Sequence, residues 1–240
     1  MRKALLKSIE LKLAEARSIR GAIFRLQALL GAHGGAHLAY TFLLHRNSYI
    51  RGDEVSATTM PEEVTKHYWQ NGGTNTDPVV EIVPKMHAPQ MMDLVDIVED
   101  KQRIYHNNQY LTAIIEQGWQ KLMVYPIFPE VGASYYSAFT ILGLPDEPKR
   151  TEQFYMEVGR LFHRSLKKYG LFRAYFKITS KEKKVLEYMA VGKTTLDIAS
   201  ELGLKQRSIE LRLQNARKKL RARTTTEAVY KAAAYSIIFV

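Results

Sequence analysis

The chain has 240 residues, 46% of them apolar and 25% charged, so it carries enough apolar side chains for one large core or two modest ones, and two is the better count. It has no cysteine, which excludes disulfides, thiolate metal sites and cysteine nucleophiles. No apolar stretch reaches the roughly 18 residues of a membrane helix, and the first residues lack the charged leader, apolar core and small-residue cleavage site of a secretion signal, so a soluble cytoplasmic protein is expected.

Residues 1 to about 30 place Leu5, Ile9 and Leu13, then Ile23, Leu26 and Leu30, at helical spacing, and Gly31 to Gly35 break the pattern. His37 to His45, Lys121 to Phe128 and Tyr135 to Leu142 are short apolar and aromatic runs that predict strands. Pro129 to Gly132 suits a hairpin between the last two. Thr151 to Tyr169 carries Phe154, Val158, Leu161, Phe162 and Leu166 on one helical face and stops near Gly170. The first 170 residues therefore read as a mixed α/β domain, and a short linker, 171–177, leads to a last segment, 178–240.

That segment reads as a capped helical bundle. Thr179 with Glu182 fits a capping box ahead of a stripe of Val185, Leu186, Met189 and Ala190. Gly192-Lys193 ends this helix, Thr194 caps the next with Asp197, and Ile198, Ala199 and Leu202 form its inner face. After a turn at Gly203, Ile209, Leu213, Ala216 and Leu220 recur at helical spacing, which leaves Arg207, Glu210, Leu211, Arg212, Gln214 and Asn215 outside. Thirteen Lys and Arg against five Asp and Glu between Lys177 and Arg223 give a local net of +8 of the chain's +11. Taken alone, the pattern also fits a small bundle with a solvated basic face.

The order and spacing of the capping Thr179, Glu182, Gly192-Lys193-Thr194, Ile198-Ala199, Leu204, Ser208-Ile209 and Lys219-Leu220 resemble the LuxR-type DNA-binding domain over about sixty residues. The resemblance implies a four-helix, all-α helix-turn-helix domain that binds double-stranded DNA as a homodimer. Its recognition helix would start near Lys205 and enter the major groove. Arg207, Glu210 and Gln214 are the candidate base readers, for guanine, cytosine and adenine in turn, with Leu211 against a thymine methyl. Lys193, Thr194, Thr195, Arg212 and Lys218 are placed for phosphates. Lys205 stands where the family has a small polar cap, and a cation there opposes the helix dipole unless a phosphate lies near. Ala228, Ala232, Tyr235 and Ile238 offer a tail face for pairing or for packing within the chain.

For residues 1–170 the same resemblance implies a ligand-sensing and dimerisation domain, an α/β/α sandwich with an antiparallel sheet that binds acyl-homoserine lactones; the whole is then an α+β protein. In H-Y-W-Q-N-G-G-T-N-T-D-P-V-V, Tyr68 and Asp77-Pro78 have the family's spacing, which implies that Asp77 accepts from the signal's amide and Tyr68 walls the acyl chain. Asp77-Pro78 equally reads as a helix start, Asp capping and Pro at the first position, and both can hold. Among seven aromatics suited to an apolar pocket, Tyr125 joins Tyr68 and Asp77 as a ligand contact. Counted from Asp77, the family's two tryptophans fall on Val64 and near Met92, and its small glycine on Leu122. A lactone carbonyl left unpaired costs about 1–3 kcal/mol, so a small signal other than an ordinary lactone is expected, or none, with the domain then serving only dimerisation or protein interaction.

Catalysis, metal and cofactor are not expected. A-V-G-K-T-T has Glu187 where a phosphate loop needs glycine. His33-Gly34-Gly35 resembles an oxyanion loop, but Gly132 to Tyr136 lacks the closing glycine of a nucleophile elbow, and His33 with His37 lacks a third metal ligand.

Overall fold

The computed structural model of the chain describes residues 2–31, 37–44, 54–101, 105–128, 135–143 and 152–239. It divides into two compact units, Met1–Ala16 with Arg20–Ser165, and Arg17–Ile19 with Leu166–Val240. Up to residue 168 the elements are helices α1 (Arg2–Ala14) and α2 (Ile19–Leu30), strands β1 (His37–Leu43) and β2 (Glu54–Thr58), helices α3 (Glu62–Gln70) and α4 (Pro78–Ile82), strand β3 (Gln90–Asp93), helices α5 (Leu94–Glu99) and α6 (Gln109–Glu116), strands β4 (Lys121–Ile127) and β5 (Tyr136–Leu142), and helix α7 (Glu152–Lys168).

The five strands form one antiparallel sheet in the order β2-β1-β5-β4-β3. Tyr40 and Tyr125 both lie opposite Phe139, so alternation turns Tyr40, Phe42, Tyr125 and Phe139 to one side and Ala39, Thr41, Leu122, Thr140 and Leu142 to the other. On the first side α7 lays Phe162 5.3 Å from the Tyr40 ring and Tyr155 6.0 Å from the Tyr125 ring. Gly159 permits this closeness, because a Cβ there would meet the Phe139 Cβ at 2.8 Å. His163 of α7 is buried between two hydroxyls, Tyr40 at 2.8 Å and Tyr135 at 2.9 Å.

On the second side Met60, Val64, Val79, Leu94, Leu111, Ile114 and their neighbours close over Leu122, Val124, Ala138 and Leu142. Asn108 caps α6 by accepting from Tyr110 and Leu111 N–H, while its amide donates to the Thr76 carbonyl at 3.1 Å, which ties α6 to the turn before Asp77. Two strands escape the sequence reading: β2 has five residues, and β3, Gln-Met-Met-Asp, has neither β-branched nor aromatic side chains. The hairpin at Pro129 to Gly132, His33 to Gly35 and Gly132 to Ser134 lie outside the described residues. His37, already set aside as a metal ligand, has its Nδ1 2.9 Å from the Thr59 carbonyl.

The second unit holds α8 (Leu171–Tyr175), α9 (Ser180–Ala190), α10 (Thr195–Leu202), α11 (Gln206–Lys219) and α12 (Thr225–Ala234). The segment 171–177, read as a linker, thus carries a short helix, and its Phe172 and Phe176 rings lie 5.5 and 4.6 Å from Tyr235. Both capping boxes form, Thr179 with Glu182 and Thr194 with Asp197. Glu182 also accepts from Lys219 at 2.7 Å, which staples α9 to the end of α11. Burial alone would raise the Glu182 carboxyl, but the Lys219 and Thr179 bonds outweigh it and hold it below its ordinary range. Ala228, Ala232, Tyr235 and Ile238 are all buried inside this unit, so packing within the chain, not pairing, occupies that tail face. None of the described helices is long and apolar enough to cross a membrane.

Candidate functional site

Helix α11 presents its polar stripe as the spacing requires. Ile209, Leu213, Ala216 and Leu220 are buried, whereas Arg207, Glu210, Leu211 and Gln214, at i, i+3, i+4 and i+7, are exposed together. Gly203, in the left-handed region at φ +62°, turns the chain from α10 into α11, and Lys205 takes the cap position with no side-chain cap bond. Lys205, Arg207 and Lys218 are exposed, Arg212 is half-buried, and none has an ion-pair partner among the described residues. Lys193 and Thr194 are differently engaged. Lys193 pairs with Glu201, which pushes its ammonium pKa up, and Thr194 spends its hydroxyl on the Asp197 cap. Thr195 opens α10 and accepts from Gln206 Nε2 at 3.2 Å.

In the first unit the structure brings Tyr68 and Asp77 together and leaves Tyr125 apart. The Tyr68 hydroxyl donates to Asp77 Oδ2 at 3.1 Å, while Oδ1 caps α4 by accepting from Val79 N–H at 2.9 Å, so Asp77 starts a helix as its spacing before Pro78 predicts, and Tyr68 touches the carboxylate rather than lining the cavity beside it. Burial pushes the Asp77 carboxyl up to about 6, against the hydrogen bonds from Val79 and Tyr68 that pull it down. Beside it lies a cavity of about 40 Å³ lined by Ala39, Thr41, Met60, Tyr110, Leu122, Thr140 and Leu142 among others. Tyr125 sits on the opposite sheet face, where the strand alternation turns it toward Tyr155, and its buried hydroxyl has no hydrogen-bond partner among the described residues. Burial and the Tyr155 hydroxyl beside it raise its pKa.

Val64 and Met92 are buried in the apolar cluster, and Leu122 forms part of the cavity wall. Trp69 is exposed, and Trp119 packs on His37 with ring centres 4.2 Å apart; neither is among the described cavity-lining residues. Sequence reasoning missed Tyr110, which lines the cavity, stacks edge-on to Tyr68 at 4.9 Å, and has its hydroxyl pKa raised by burial and by the Asp77 charge. The signal was the Asn108 cap two residues earlier, which fixes a helix start and so the direction of Tyr110.

Residues 177–232 match the model of the family described as bacterial regulatory proteins, luxR family. They are a LuxR-family helix-turn-helix domain. The chain as a whole has the fold of Escherichia coli SdiA, at 15% identity, a TM-score of 0.57 and 99% coverage of both chains. A second SdiA structure, in complex with octanoyl-rac-glycerol, aligns at 15% identity and a TM-score of 0.56 over 97% of this chain and 94% of that one. The N-acylhomoserine-lactone-dependent LuxR-family factor CepR2 from Burkholderia cenocepacia aligns at 15% identity and a TM-score of 0.52 over 72% of this chain and 97% of its own. No curated protein sequence matches the chain. The chain thus carries a LuxR-family DNA-binding domain at residues 177–232, and its fold as a whole is like that of SdiA and CepR2.

Proposed function

We propose that this LuxR-type regulator binds double-stranded DNA as a homodimer through α11, and that residues 1–170 answer to a small amphipathic molecule at Asp77. Arg207, Glu210, Leu211 and Gln214 read bases, and Lys205, Thr195, Arg212 and Lys218 contact phosphates. Lys193 and Thr194 contribute there only by giving up Glu201 and Asp197. The tail face is filled within the chain, so the dimer contact lies on other surfaces.

The observation that carries the sensing role is Asp77. A carboxylate kept inside an apolar domain, at a cost that raises its pKa to about 6, with a cavity beside it, is arranged to receive a donor. A cavity of 40 Å³ is far below the roughly 300 Å³ at which ligand pockets begin, so binding must open it. Met60, Met86 and Met92 in the surrounding cluster are unbranched and repack at low cost. With Val64 and Met92 in place of hydrogen-bond donors, an acyl chain bearing hydroxyls, of the kind named in the SdiA complex, suits the site better than a lactone.

The small cavity also favours a second reading, in which the domain is permanently filled and serves dimerisation alone. Thermal unfolding of the full chain, followed by tryptophan fluorescence with acylglycerols and acyl-homoserine lactones, separates the two. A ligand at a hundred times its Kd adds about 2.7 kcal/mol. A rise with acylglycerol supports sensing as described, a rise with lactone alone overturns the ligand class, and no rise with either supports the filled domain.

A further inference from the structure

The first turn of α11 carries a side chain that neither its capping pattern nor its apolar stripe explains. Gln206 and Glu210 are both exposed and, four residues apart, share a helix face. Gln206 Nε2 donates to Glu210 Oε1 at 3.0 Å and to Thr195 Oγ1 at 3.2 Å. A carboxylate has no proton to give, so the nitrogen end of the amide must face it, and the two amide hydrogens are then both engaged. What Gln206 has left is its carbonyl oxygen, and what Glu210 has left is its second carboxylate oxygen. Neither oxygen has a partner among the described residues.

We propose that Gln206 is a specificity-determining residue of the DNA surface: held by Thr195 and Glu210, it presents, with the free Glu210 oxygen, a pair of acceptors that selects bases carrying exocyclic amino groups. The proposal rests on the reading of α11 as the recognition helix. After base pairing the amino groups of cytosine and adenine each keep one hydrogen in the major groove, whereas that of guanine faces the minor groove, so two oxygens read two such amino groups on neighbouring base pairs. Guanine and thymine present acceptors, O6 with N7 and O4, and leave both oxygens unpaired. Adenine is second to cytosine. A free glutamine reads adenine with its nitrogen on N7 and its oxygen on N6–H, but here the nitrogen is already committed, and N7 faces a carboxylate.

The test is selection of binding sites from a randomised duplex pool by the full chain, comparing wild type with Gln206→Met and Thr195→Val. Wild type is expected to enrich cytosine at two adjacent positions of each half-site, by about tenfold over guanine. Gln206→Met, isosteric and exposed, should lose that preference at one or both positions while the rest of the half-site and the thermal stability stay unchanged. Thr195→Val frees one amide hydrogen and should raise adenine there. An unchanged base preference in Gln206→Met overturns the inference and leaves the DNA-binding reading standing, as does a wild-type half-site with no enrichment of cytosine over guanine at two adjacent positions. If wild type enriches no sequence, the reading of α11 falls and the inference with it.

Discussion

Replacing Asp77 by Asn tests whether this carboxylate is held at a cost. Its pKa is raised from 3.8 to about 6. Two units at 1.36 kcal/mol each correspond to about 3 kcal/mol, and since Asp77 keeps some solvent contact, screening trims this to about 2 kcal/mol. The folded state binds the proton more tightly than the unfolded chain, so the stability conferred by the neutral form is present below about pH 4 and lost as pH rises to 6. Asn cannot ionise and escapes this loss, but gives up one acceptor of the Tyr68 bond, at about 1 kcal/mol. Asp77→Asn should therefore destabilise by about 1 kcal/mol at pH 4 and stabilise by about 1 kcal/mol at pH 8. The chain's two tryptophans, Trp69 and Trp119, both lie in the first unit, so urea unfolding followed by their fluorescence reports that unit in the intact protein. A change that is the same at both pH values would refute the argument that burial of charge dominates at Asp77.

Other substitutions test the packing and the DNA surface. Gly159→Ala should gain helix propensity, yet the new Cβ meets the Phe139 Cβ at 2.8 Å, which cannot swing away; the same fluorescence assay should show a net loss of about 1–2 kcal/mol. Lys231 is buried, donates to the Arg221 carbonyl at 2.8 Å and pairs with Glu227 at 2.9 Å, so Lys231→Ala should cost the helical unit about 2 kcal/mol in a circular-dichroism melt. Arg207→Ala should change the preferred DNA sequence, whereas Arg212→Ala should weaken binding to all sequences and lower the salt slope by about one. Identical behaviour of the two in a salt titration of DNA binding would overturn the division of α11 into base and phosphate contacts.

Legibility in the sequence followed how local each determinant is. The caps at Thr179 and Thr194, the turn at Gly203 and the apolar stripe of α11 are set by residues within a few positions of one another, and the sequence predicts them closely. Tyr68 and Asp77 were legible as a pair because they sit within one helix and turn. Tyr125 was not, because its role depends on which face of β4 meets α7, and that is decided by register against β5 and by the gap at Gly159. The burial of Tyr235 and Ile238 was equally hidden, since the sequence does not say that Phe172 and Phe176, sixty residues earlier, fold back on the tail. The Gln206 bridge needs two helix starts to converge, and spacing within either helix alone gives no sign of it.

The places where local rules are broken then carry weight of their own. Folding stability has no use for Lys205 at a helix start, for exposed Leu211 in the middle of a polar stripe, or for a charged Asp77 inside an apolar domain. Elsewhere the same chain follows those rules closely, as in the Thr179, Glu182 and Lys219 cluster, where the buried carboxylate has an ammonium and two further donors. Asp77 has a hydroxyl and backbone donors but no cation among the described residues, and burial still outweighs them. The difference between the two carboxylates is what the proposed sensing role builds on: Glu182 has its ammonium within the chain, whereas at Asp77 the proposed ligand would bring the further donor.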